Sequence, residues 1–470
     1  MKKQKFYTKT RNQAARLAIF ASPKLQKTLL DKYLNSDYNF LKGFFVKQKL
    51  YLSNPGIATA AGCDAQTFWS ALVDGNNSGL VKVKTFSNEN FFAGKIDDKK
   101  LSPTNAKYDM RIIQIEDLAL NQIAPFVERA KEKYGAARIA VCVGSCDNGS
   151  EFSLAGHSEF FATKKFPENY SLEMQSADYP ATFAKEKFGL NAPAFVFATA
   201  CSSSASAIAK GAELIRAGIV DAAIVGGADV ASDTALIGFN SLESISPEKT
   251  NPFSKNRAGI TLGEGAAFFV LAKDFCVVQN SSDCAEENCI ELLGVGESCD
   301  AHHMTSPLAD GSGALCAMKA ALDDASLENE NIDYVNLHGT GTKLNDAMES
   351  LAMSKCFGES ICDEKIIFAS STKPITGHTL GASSAIELAA CFLAIKNNCG
   401  KNSEQIKLPL HVYDGERDEK IPRINLVGRE TKFLRPINVC MSNSFGFGGC
   451  NVSLIIGKSR SENFRRGEEN

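Results

Sequence analysis

Short apolar runs alternate with longer amphipathic segments along the chain from residue 50 onward. The short runs have the length and flanking turn residues of β-strands, and the longer segments repeat their apolar residues with helical spacing. Helices are predicted at residues 204–217, 314–325 and 383–395. Strands are predicted at residues 139–143, 194–198, 222–225, 267–271, 290–295, 334–337, 366–369, 423–427 and 452–456. This alternation favours an α/β fold with parallel-type layers.

Residues 279–288 read QNSSDCAEEN and form a polar stretch that divides this pattern into two parts. Two α/β halves are therefore predicted, an N-terminal half over residues 50–282 and a C-terminal half over residues 283–458. Residues 1–49 are predicted to form a basic extension, and residues 459–470 a charged tail. No short sequence repeat is visible, which excludes solenoids and propellers.

The charge of the chain is concentrated at its N-terminus. Residues 1–50 carry twelve basic side chains and two acidic ones, although the whole chain has a net charge of −3. The apolar stretch at residues 17–22 is short and leads into Pro23 and further lysines, which argues against a secretory signal. Two interpretations stay open: a solvated extension outside the fold, and a basic surface that faces an acidic protein partner.

The overall composition narrows the class of protein. Hydrophobic residues make up 44% of the chain, which is enough for a large core and excludes wholesale disorder. No uninterrupted apolar run approaches the ~18–20 residues that a membrane span needs, and the net charge does not favour nucleic-acid binding. The fifteen cysteines include no C-x-x-C pair. Free thiols in a reducing cytoplasm, without a metal site, are therefore expected.

One of these cysteines lies where a nucleophile could be activated. Residues 194–215 read AFVFATACSSSASAIAKGAELI, so Cys201 follows an apolar strand and precedes a helix of small residues. The backbone N–H groups and the dipole at a helix start stabilise a thiolate, so we expect the pKa of Cys201 to fall below its usual ~8.5. A buried cysteine in a tight turn would give the same local pattern, and two histidine segments decide between these interpretations.

Two of the six histidines follow predicted strands and stand beside glycine and threonine. His338 lies in YVNLHGTGTKLNDAMES at residues 334–350, and His378 lies in IIFASSTKPITGHTLGASSAIE at residues 366–387. Glycines at such positions let a ligand approach the backbone closely. Both histidines are therefore candidate site residues.

A glycine-rich loop follows near the C-terminus. Gly446 and Gly448 flank Phe447 in the segment VCMSNSFGFGGCNVSLII. A loop of this kind can direct backbone N–H groups at a developing oxyanion.

Together these segments resemble the β-ketoacyl-acyl carrier protein synthases, the condensing enzymes of fatty-acid and polyketide synthesis. The resemblance covers residues 51–457 and includes NPFSKNRAGITLGEGAAFFVLAKD at residues 251–274. It implies a thiolase-like fold, with two pseudo-symmetric α/β halves forming a layered α-β-α-β-α core, and a homodimer. It also implies acyl carrier protein as a partner, which brings phosphopantetheine with it, and no further cofactor or metal.

The resemblance implies a role for each residue that matches a motif of the family. Cys201 would accept the acyl chain, and His338 and His378 would stabilise negative charge on the malonyl thioester. The oxygen of the Cys201 thioester would lie between the backbone N–H groups of Cys201 and Phe447, and the Phe447 ring would gate the site.

Four further residues receive supporting roles from the resemblance. Lys373 matches the lysine near the histidines, and Glu349 matches the acid that pairs with it. Thr340 and Thr342 match the threonines that hydrogen-bond the phosphopantetheine arm.

The Cys-His-His set implies an elongating synthase, because family members that start from acyl-CoA have a Cys-His-Asn set and chain-length factors lose the cysteine. The alternative is a non-catalytic partner that determines chain length or binds a carrier protein. Residues 50–62, 238–260, 294–307 and 408–418 look closer to synthases of bacterial aryl-polyene gene clusters than to housekeeping ones. The identity of the acyl substrate therefore stays open. His302 and His303, in the loop at residues 300–307, either line the substrate pocket or are solvated.

Overall fold

The computed structural model describes residues 47–459 except 105, 148, 169, 280–284, 359–366, 403–404 and 434. The predicted boundary between residues 282 and 283, most of the predicted extension and nearly all of the predicted tail lie outside these residues. The strands are β1 Tyr51–Leu52, β2 Gly56–Thr59, β3 Leu80–Lys84, β4 Asn90–Gly94, β5 Ile139–Gly144, β6 Ala194–Phe197, β7 Ala222–Asp229, β8 Leu262–Gly263, β9 Gly265–Ala272, β10 Ile290–Cys299, β11 Tyr334–Asn336, β12 Phe368–Ser370, β13 Val439–Phe445 and β14 Cys450–Lys458.

The helices lie between these strands. They are α1 Ala65–Asp74, α2 Arg111–Tyr134, α3 Ser150–Thr163, α4 Tyr179–Phe188, α5 Ser203–Arg216, α6 Asp233–Ser241, α7 Phe275–Val278, α8 Ser312–Ala325, α9 Lys343–Phe357, α10 Lys373–Thr376 and α11 Ser383–Asn398. Three 3-10 turns are important for the site: Ala200–Ser202, Leu380–Ala382 and Phe447–Gly449.

The described strands of the large sheet repeat one arrangement twice. Its order is β12-β11-β13-β14-β10-β1-β9-β7-β5-β6, with β2 also beside β9. The series β1-β9-β7-β5-β6 has two antiparallel pairings followed by two parallel ones, and the series β10-β14-β13-β11-β12 has the same four. The two series meet where β1 pairs antiparallel with β10. The predicted pseudo-symmetry of the halves is therefore visible in the topology.

Alternate residues of the strands face different cores. On β5, Ile139 and Val141 pack in a core with α2 and α4, whereas Ala140 and Cys142 pack in a central core with α5 and α11. A third core lies between the C-terminal strands and helices α8 and α9. Since side chains alternate along a strand, each half of the sheet separates two helical layers. The result is the predicted α-β-α-β-α order.

Helix α5 approaches the sheet closely because it is rich in small residues. A Cβ atom added at Gly211 would lie 2.4 Å from Cγ1 of Val225 on β7, and one added at Gly144 on β5 would lie 2.1 Å from the nitrogen of Ser204. These contacts determine the depth at which the start of α5 lies between the two halves.

Two predictions about elements are wrong. Residues 423–427 do not form a strand, because among the residues that the structure describes a single bridge, between Ala369 and Leu426, ties them to the edge of the sheet. The sheet is mixed rather than parallel, because β7–β9 and β13–β14 pair antiparallel. Strand β13 was not predicted because it contains buried polar residues, of which Asn443 accepts a hydrogen bond from Oγ of Ser453.

Judged only by its length and composition, one segment among the described residues, Leu380–Asn398, could cross a membrane. Most of its apolar window, 89%, is buried inside the fold. It therefore serves as the core helix α11 together with the turn before it.

Candidate active site

Cys201 lies in the tight connection between β6 and α5. The residue before it, Ala200, has φ +54°, a left-handed conformation that is unfavourable for a residue with a Cβ atom. Serine side chains stabilise this turn: Oγ of Ser202 donates to the Thr199 carbonyl at 2.8 Å, and Oγ of Ser203 donates to the Ala200 carbonyl at 2.6 Å. The strained backbone places the thiol at the start of α5, where it is buried.

The other half repeats this turn without the thiol. Leu380 has φ +50° and precedes Gly381, and the chain then enters α11 as it enters α5 after Cys201. The two turns pack against each other, because Oγ of Ser384 donates to the Cys201 carbonyl at 2.9 Å. Asp229 at the end of β7 accepts from the Gly381 N–H at 2.7 Å. The pseudo-symmetry thus brings the His378 segment next to Cys201.

The two predicted histidines meet at Cys201. Nε2 of His378 lies 3.0 Å from Sγ of Cys201. One ring nitrogen of each histidine and the sulfur all lie within 4.8 Å of one another. The rings of His338 and His378 are perpendicular, with centroids 5.6 Å apart. The structure therefore brings together three residues that the sequence separates by up to 177 positions.

The partners of each ring determine its protonation. The Leu380 N–H donates to Nδ1 of His378 at 3.2 Å, and the Lys373 ammonium lies 3.4 Å from Nδ1 of His338. Burial, together with the charge of Lys373, holds the pKa of both imidazoles well below the usual value, so both are neutral. A neutral ring whose Nδ1 accepts carries its proton on Nε2. Both Nε2 atoms are therefore donors.

The predicted pairing of Lys373 with Glu349 is wrong. Lys373 forms its ion pair with Glu387 on α11 and donates to the His338 carbonyl at 2.6 Å. Glu349 instead accepts from the backbone N–H groups of His338 and Gly339, each at 2.7 Å. Both acids sit near the lysine, but only the folded chain shows which one its ammonium reaches. A glutamate within the apolar sequence of α11 was the signal that could have identified Glu387.

The predicted lowering of the Cys201 pKa is also wrong. Burial raises the pKa of the thiol to about 11. The charge of Lys373 and the backbone N–H groups of Phe447 and Cys201 act in the opposite direction without outweighing burial. Desolvation disfavours the charged form, and here it exceeds the effect of the helix start.

The backbone N–H groups that face the sulfur form a candidate oxyanion hole. One belongs to Cys201, and the other belongs to Phe447 in the glycine loop. Gly448 has φ +82°, and its N–H donates to the Met304 carbonyl at 2.7 Å, while the Gly446 N–H donates to the Cys450 carbonyl at 2.9 Å. These two bonds fix the loop on both sides of Phe447.

A cavity of about 630 Å³ leads to these residues. Thr340 and Thr342 line it, and their hydroxyl oxygens are 3.0 Å apart. The ring of Phe447, also in the lining, lies 5.9 Å from the ring of Phe239. His302 and His303 are exposed and are not among the lining residues, so the interpretation as solvated histidines holds for them.

Sequence models of one family match both halves of the chain. The β-ketoacyl synthase N-terminal domain matches residues 55–274, and the β-ketoacyl synthase C-terminal domain matches residues 289–403. The 3-oxoacyl-[acyl-carrier-protein] synthase 2 of Vibrio cholerae is 31% identical over 430 residues, covering 87% of this chain and 99% of that protein. The chain therefore belongs to the β-ketoacyl synthase family.

Solved structures agree with this assignment. One chain of the ketosynthase ApeO in complex with its chain length factor ApeC, from Xenorhabdus doucetiae, matches with a TM-score of 0.78 and 35% identity, covering 88% of this chain and 98% of that one. A β-ketoacyl synthase from Burkholderia phymatum matches with a TM-score of 0.70 and 25% identity, covering 88% and 100%. The predicted thiolase-like fold is confirmed. The protein is an acyl-transferring condensing enzyme, a β-ketoacyl-acyl carrier protein synthase, and the non-catalytic alternative is not favoured.

Proposed function

We propose that Cys201 carries the acyl chain as a thioester, and that His338 and His378 stabilise the enolate formed from a malonyl thioester. The observation that carries this proposal is the convergence of two imidazole rings on Cys201: Nε2 of His378 lies 3.0 Å from Sγ, and one ring nitrogen of each histidine lies within 4.8 Å of the sulfur. Both donors are neutral and preorganised, which is the arrangement that stabilises a developing oxyanion.

The reaction proceeds in two stages on these residues. The Cys201 thiolate attacks an acyl thioester, and the oxyanion lies between the N–H groups of Cys201 and Phe447. The carbon–sulfur bond of the incoming thioester then breaks, and its sulfur leaves as a thiolate that takes up the proton given up by Cys201. The malonyl thioester then loses carbon dioxide, and its enolate oxygen accepts hydrogen bonds from His338 and His378. The enolate carbon attacks the Cys201 thioester, the carbon–sulfur bond breaks, and Cys201 leaves as a thiolate. The chemistry needs neither a metal nor a resident cofactor.

Mass spectrometry after incubation with acyl-carrier protein tests the first stage. We expect the protein to gain the acyl mass, Cys201→Ala to gain none, and Cys316→Ala, which changes an exposed thiol on α8, to behave as the wild type. Cys201→Ser should lose condensation, because an alkoxide forms far less readily than a thiolate. A wild-type protein that stays unmodified would favour the non-catalytic alternative.

His338→Ala tests the division of roles between the two stages. Self-acylation should persist at least in part, because His378 and the backbone N–H groups stay in place. Malonyl decarboxylation, measured as released carbon dioxide, should be abolished because one enolate donor is lost. An equal loss in both measurements would contradict the proposed roles.

The partner follows from the same proposal. Acyl carrier protein would deliver both thioesters, and its phosphopantetheine arm would pass Thr340 and Thr342 in the cavity wall while the Phe447 ring gates the nucleophile. Thr340→Val and Thr342→Val should each raise KM for malonyl-carrier protein with little change in kcat, because each removes one hydroxyl from this wall. A change in kcat alone would place these threonines in the chemistry.

The enzyme is proposed to work as a cytoplasmic homodimer. Strand β6 is an edge of the described sheet, and its Phe195 side chain is 40% exposed. An unpaired strand edge with an exposed aromatic residue favours pairing with another chain. Two related structures contain a ketosynthase with a chain length factor, so a heterodimer is the other outcome of the test.

The acyl substrate is proposed to be an intermediate of fatty-acid or related polyketide synthesis, the aryl-polyene type included. Product analysis with saturated and with aryl-enoyl primers separates these classes. Extension of aryl-enoyl primers alone would assign the aryl-polyene class, and extension of saturated primers alone would assign fatty-acid synthesis.

A further inference from the structure

Two cysteines face each other beside the cavity and take no part in the proposed mechanism. Cys299 is the last residue of β10, Cys450 is the first residue of β14, and the two are directly opposite in the antiparallel register. Cys299 is exposed and Cys450 is half-buried. Cys450 immediately follows the glycine loop that carries Phe447, so this thiol pair lies where that loop joins the sheet.

The register makes the two thiols close neighbours. The Asp300 N–H donates to the Gly449 carbonyl at 2.9 Å, so Asp300 and Gly449 form a hydrogen-bonded pair. Hydrogen-bonded and non-hydrogen-bonded pairs alternate, so Cys299 and Cys450 form a non-hydrogen-bonded pair, whose Cα atoms are typically about 4.5 Å apart. That separation falls within the ~4.4–6.8 Å of disulfides. Burial and the interaction with the Cys299 thiol raise the pKa of the Cys450 thiol.

We propose that Cys299 and Cys450 are an oxidation site, at which a peroxide forms a reversible disulfide that fixes the anchor of the Phe447 loop. One thiol reacts with hydrogen peroxide to give a sulfenic acid and water. The other thiol attacks that sulfur and releases a second water, so the pair loses two electrons and two protons to the peroxide. A dithiol reductant reverses the change.

The surroundings assign an order to these steps. Cys299 reacts first because it is exposed, whereas burial raises the pKa of the Cys450 thiol and slows its ionisation. Cys450 then resolves the sulfenic acid from the neighbouring strand.

The consequence for the enzyme follows from the contacts of the loop. The Cys450 carbonyl accepts from the Gly446 N–H at 2.9 Å, and Nδ2 of Asn451 donates to Asp300 at 2.7 Å. Asp300, Gly449 and Asn451 line the cavity. A disulfide between β10 and β14 restricts the motion of the backbone at Cys450, where the Phe447 loop joins the sheet. This consequence rests on the gating role proposed above for Phe447, and we expect the disulfide to slow acyl transfer to Cys201.

Peptide mapping tests the site independently of activity. The full-length protein is treated with limiting hydrogen peroxide, its remaining thiols are alkylated, and cross-linked peptides are identified. A second thiol pair, Cys391 and Cys440, serves as an internal control, because these side chains are also in contact but fully buried. We expect a Cys299–Cys450 cross-link and free thiols at Cys391 and Cys440. Free thiols at Cys299 and Cys450, under conditions that oxidise other exposed cysteines, would overturn the proposal.

A matched variant tests the effect on the gate. Cys450→Ser cannot form the cross-link, so any loss of activity after peroxide in this variant reports oxidation of Cys201 or other thiols. Relative to it, the wild type should lose about fivefold more acyl-transfer rate and recover it with dithiothreitol, as expected when loop motion limits turnover. Equal losses in the two proteins would overturn the proposal that the disulfide slows acyl transfer through the Phe447 loop. Acylation of the untreated, reduced proteins is measured separately, so failure of the proposed enzyme function would be recognised.

Discussion

The proton positions on His338 and His378 are determined by what each Nδ1 accepts. One ring accepts from a backbone N–H and the other faces a buried ammonium, so the two reach the same protonation by different means. Neither needs to change its charge to stabilise an enolate. The Cys201 thiol is different, because the site raises its pKa and the proposed acylation requires the thiolate.

The pH dependence of Cys201 alkylation checks this protonation state. The pKa of Cys201 is raised to about 11, so the thiolate fraction should still be rising above pH 7. We expect the rate of alkylation by iodoacetamide to rise about tenfold per pH unit between roughly pH 7 and 9. Labelling at Cys201 is followed by peptide mass, with Cys201→Ala as the blank. A plateau below pH 8 would show a thiolate already formed at neutral pH.

The two acids near Lys373 should respond differently to neutral replacement. Glu387→Gln leaves a buried ammonium without its counter-ion, which costs about 3–5 kcal/mol of unfolding free energy. Burial raises the pKa of Glu349 to about 8, so it is already largely protonated at pH 7, and Glu349→Gln removes mainly one acceptor, at about 1 kcal/mol. Denaturant unfolding at pH 7 measures both. Equal losses would contradict the assignment of Glu387 as the partner.

At the level of elements, the site is built from two equivalent turns that precede α5 and α11. Each turn contains a non-glycine residue with positive φ, Ala200 in one and Leu380 in the other. The N-terminal half supplies the proposed nucleophile Cys201, and the C-terminal half supplies the backbone N–H of Leu380 that orients His378. The position of α5 against the sheet determines where the sulfur lies relative to the histidines.

Two helical glycines provide a matched test of this packing. Gly211→Ala on α5 places a Cβ atom 2.4 Å from Cγ1 of Val225 and should cost about 1–3 kcal/mol through overpacking. Gly238→Ala on α6 meets nothing within 4 Å and should stabilise the protein by about 1 kcal/mol through helix propensity. Denaturant unfolding gives both free energies. Stabilisation by Gly211→Ala would show that α5 can move away from β7.

At the level of the whole molecule, β1 and β10 join two similar halves, and the sheet of the N-terminal half ends at β6. This strand directly precedes the turn that carries Cys201. A second chain bound along β6 would therefore lie close to Cys201. We expect enzyme activity to depend on association of the two chains.

A charged residue on this edge tests the association. Phe195→Lys should convert a wild-type dimer into a monomer, because lysine on an edge strand opposes pairing with another strand. Phe86→Lys changes another exposed aromatic residue, 61% exposed, away from this strand and should leave the dimer intact. Sedimentation velocity measures both. A Phe195→Lys protein that stays dimeric would place the interface elsewhere.

Much of this organisation could be predicted from local sequence. The strand before Cys201, the glycines around His338 and His378 and the helices after them are short-range patterns, and eight of the nine predicted strands are present. The strand predicted at residues 423–427 is absent because a short segment such as RINLV does not show whether a neighbouring strand edge is free to pair. The predicted ion-pair partner of Lys373 was wrong because Glu349 and Glu387 are both acids close to it, and the sequence does not show which one its ammonium reaches.

The amino-acid sequence by itself determined the family and singled out Cys201, His338 and His378 as candidate site residues, because each is specified by residue types at fixed local spacing. Only the tertiary structure decided the charge state of Cys201, since burial is a property of the folded chain and outweighs the local helix start. It also decided which acid neutralises Lys373 and which nitrogen of each histidine carries the proton. These depend on distances of a few ångströms between segments that are far apart in the chain.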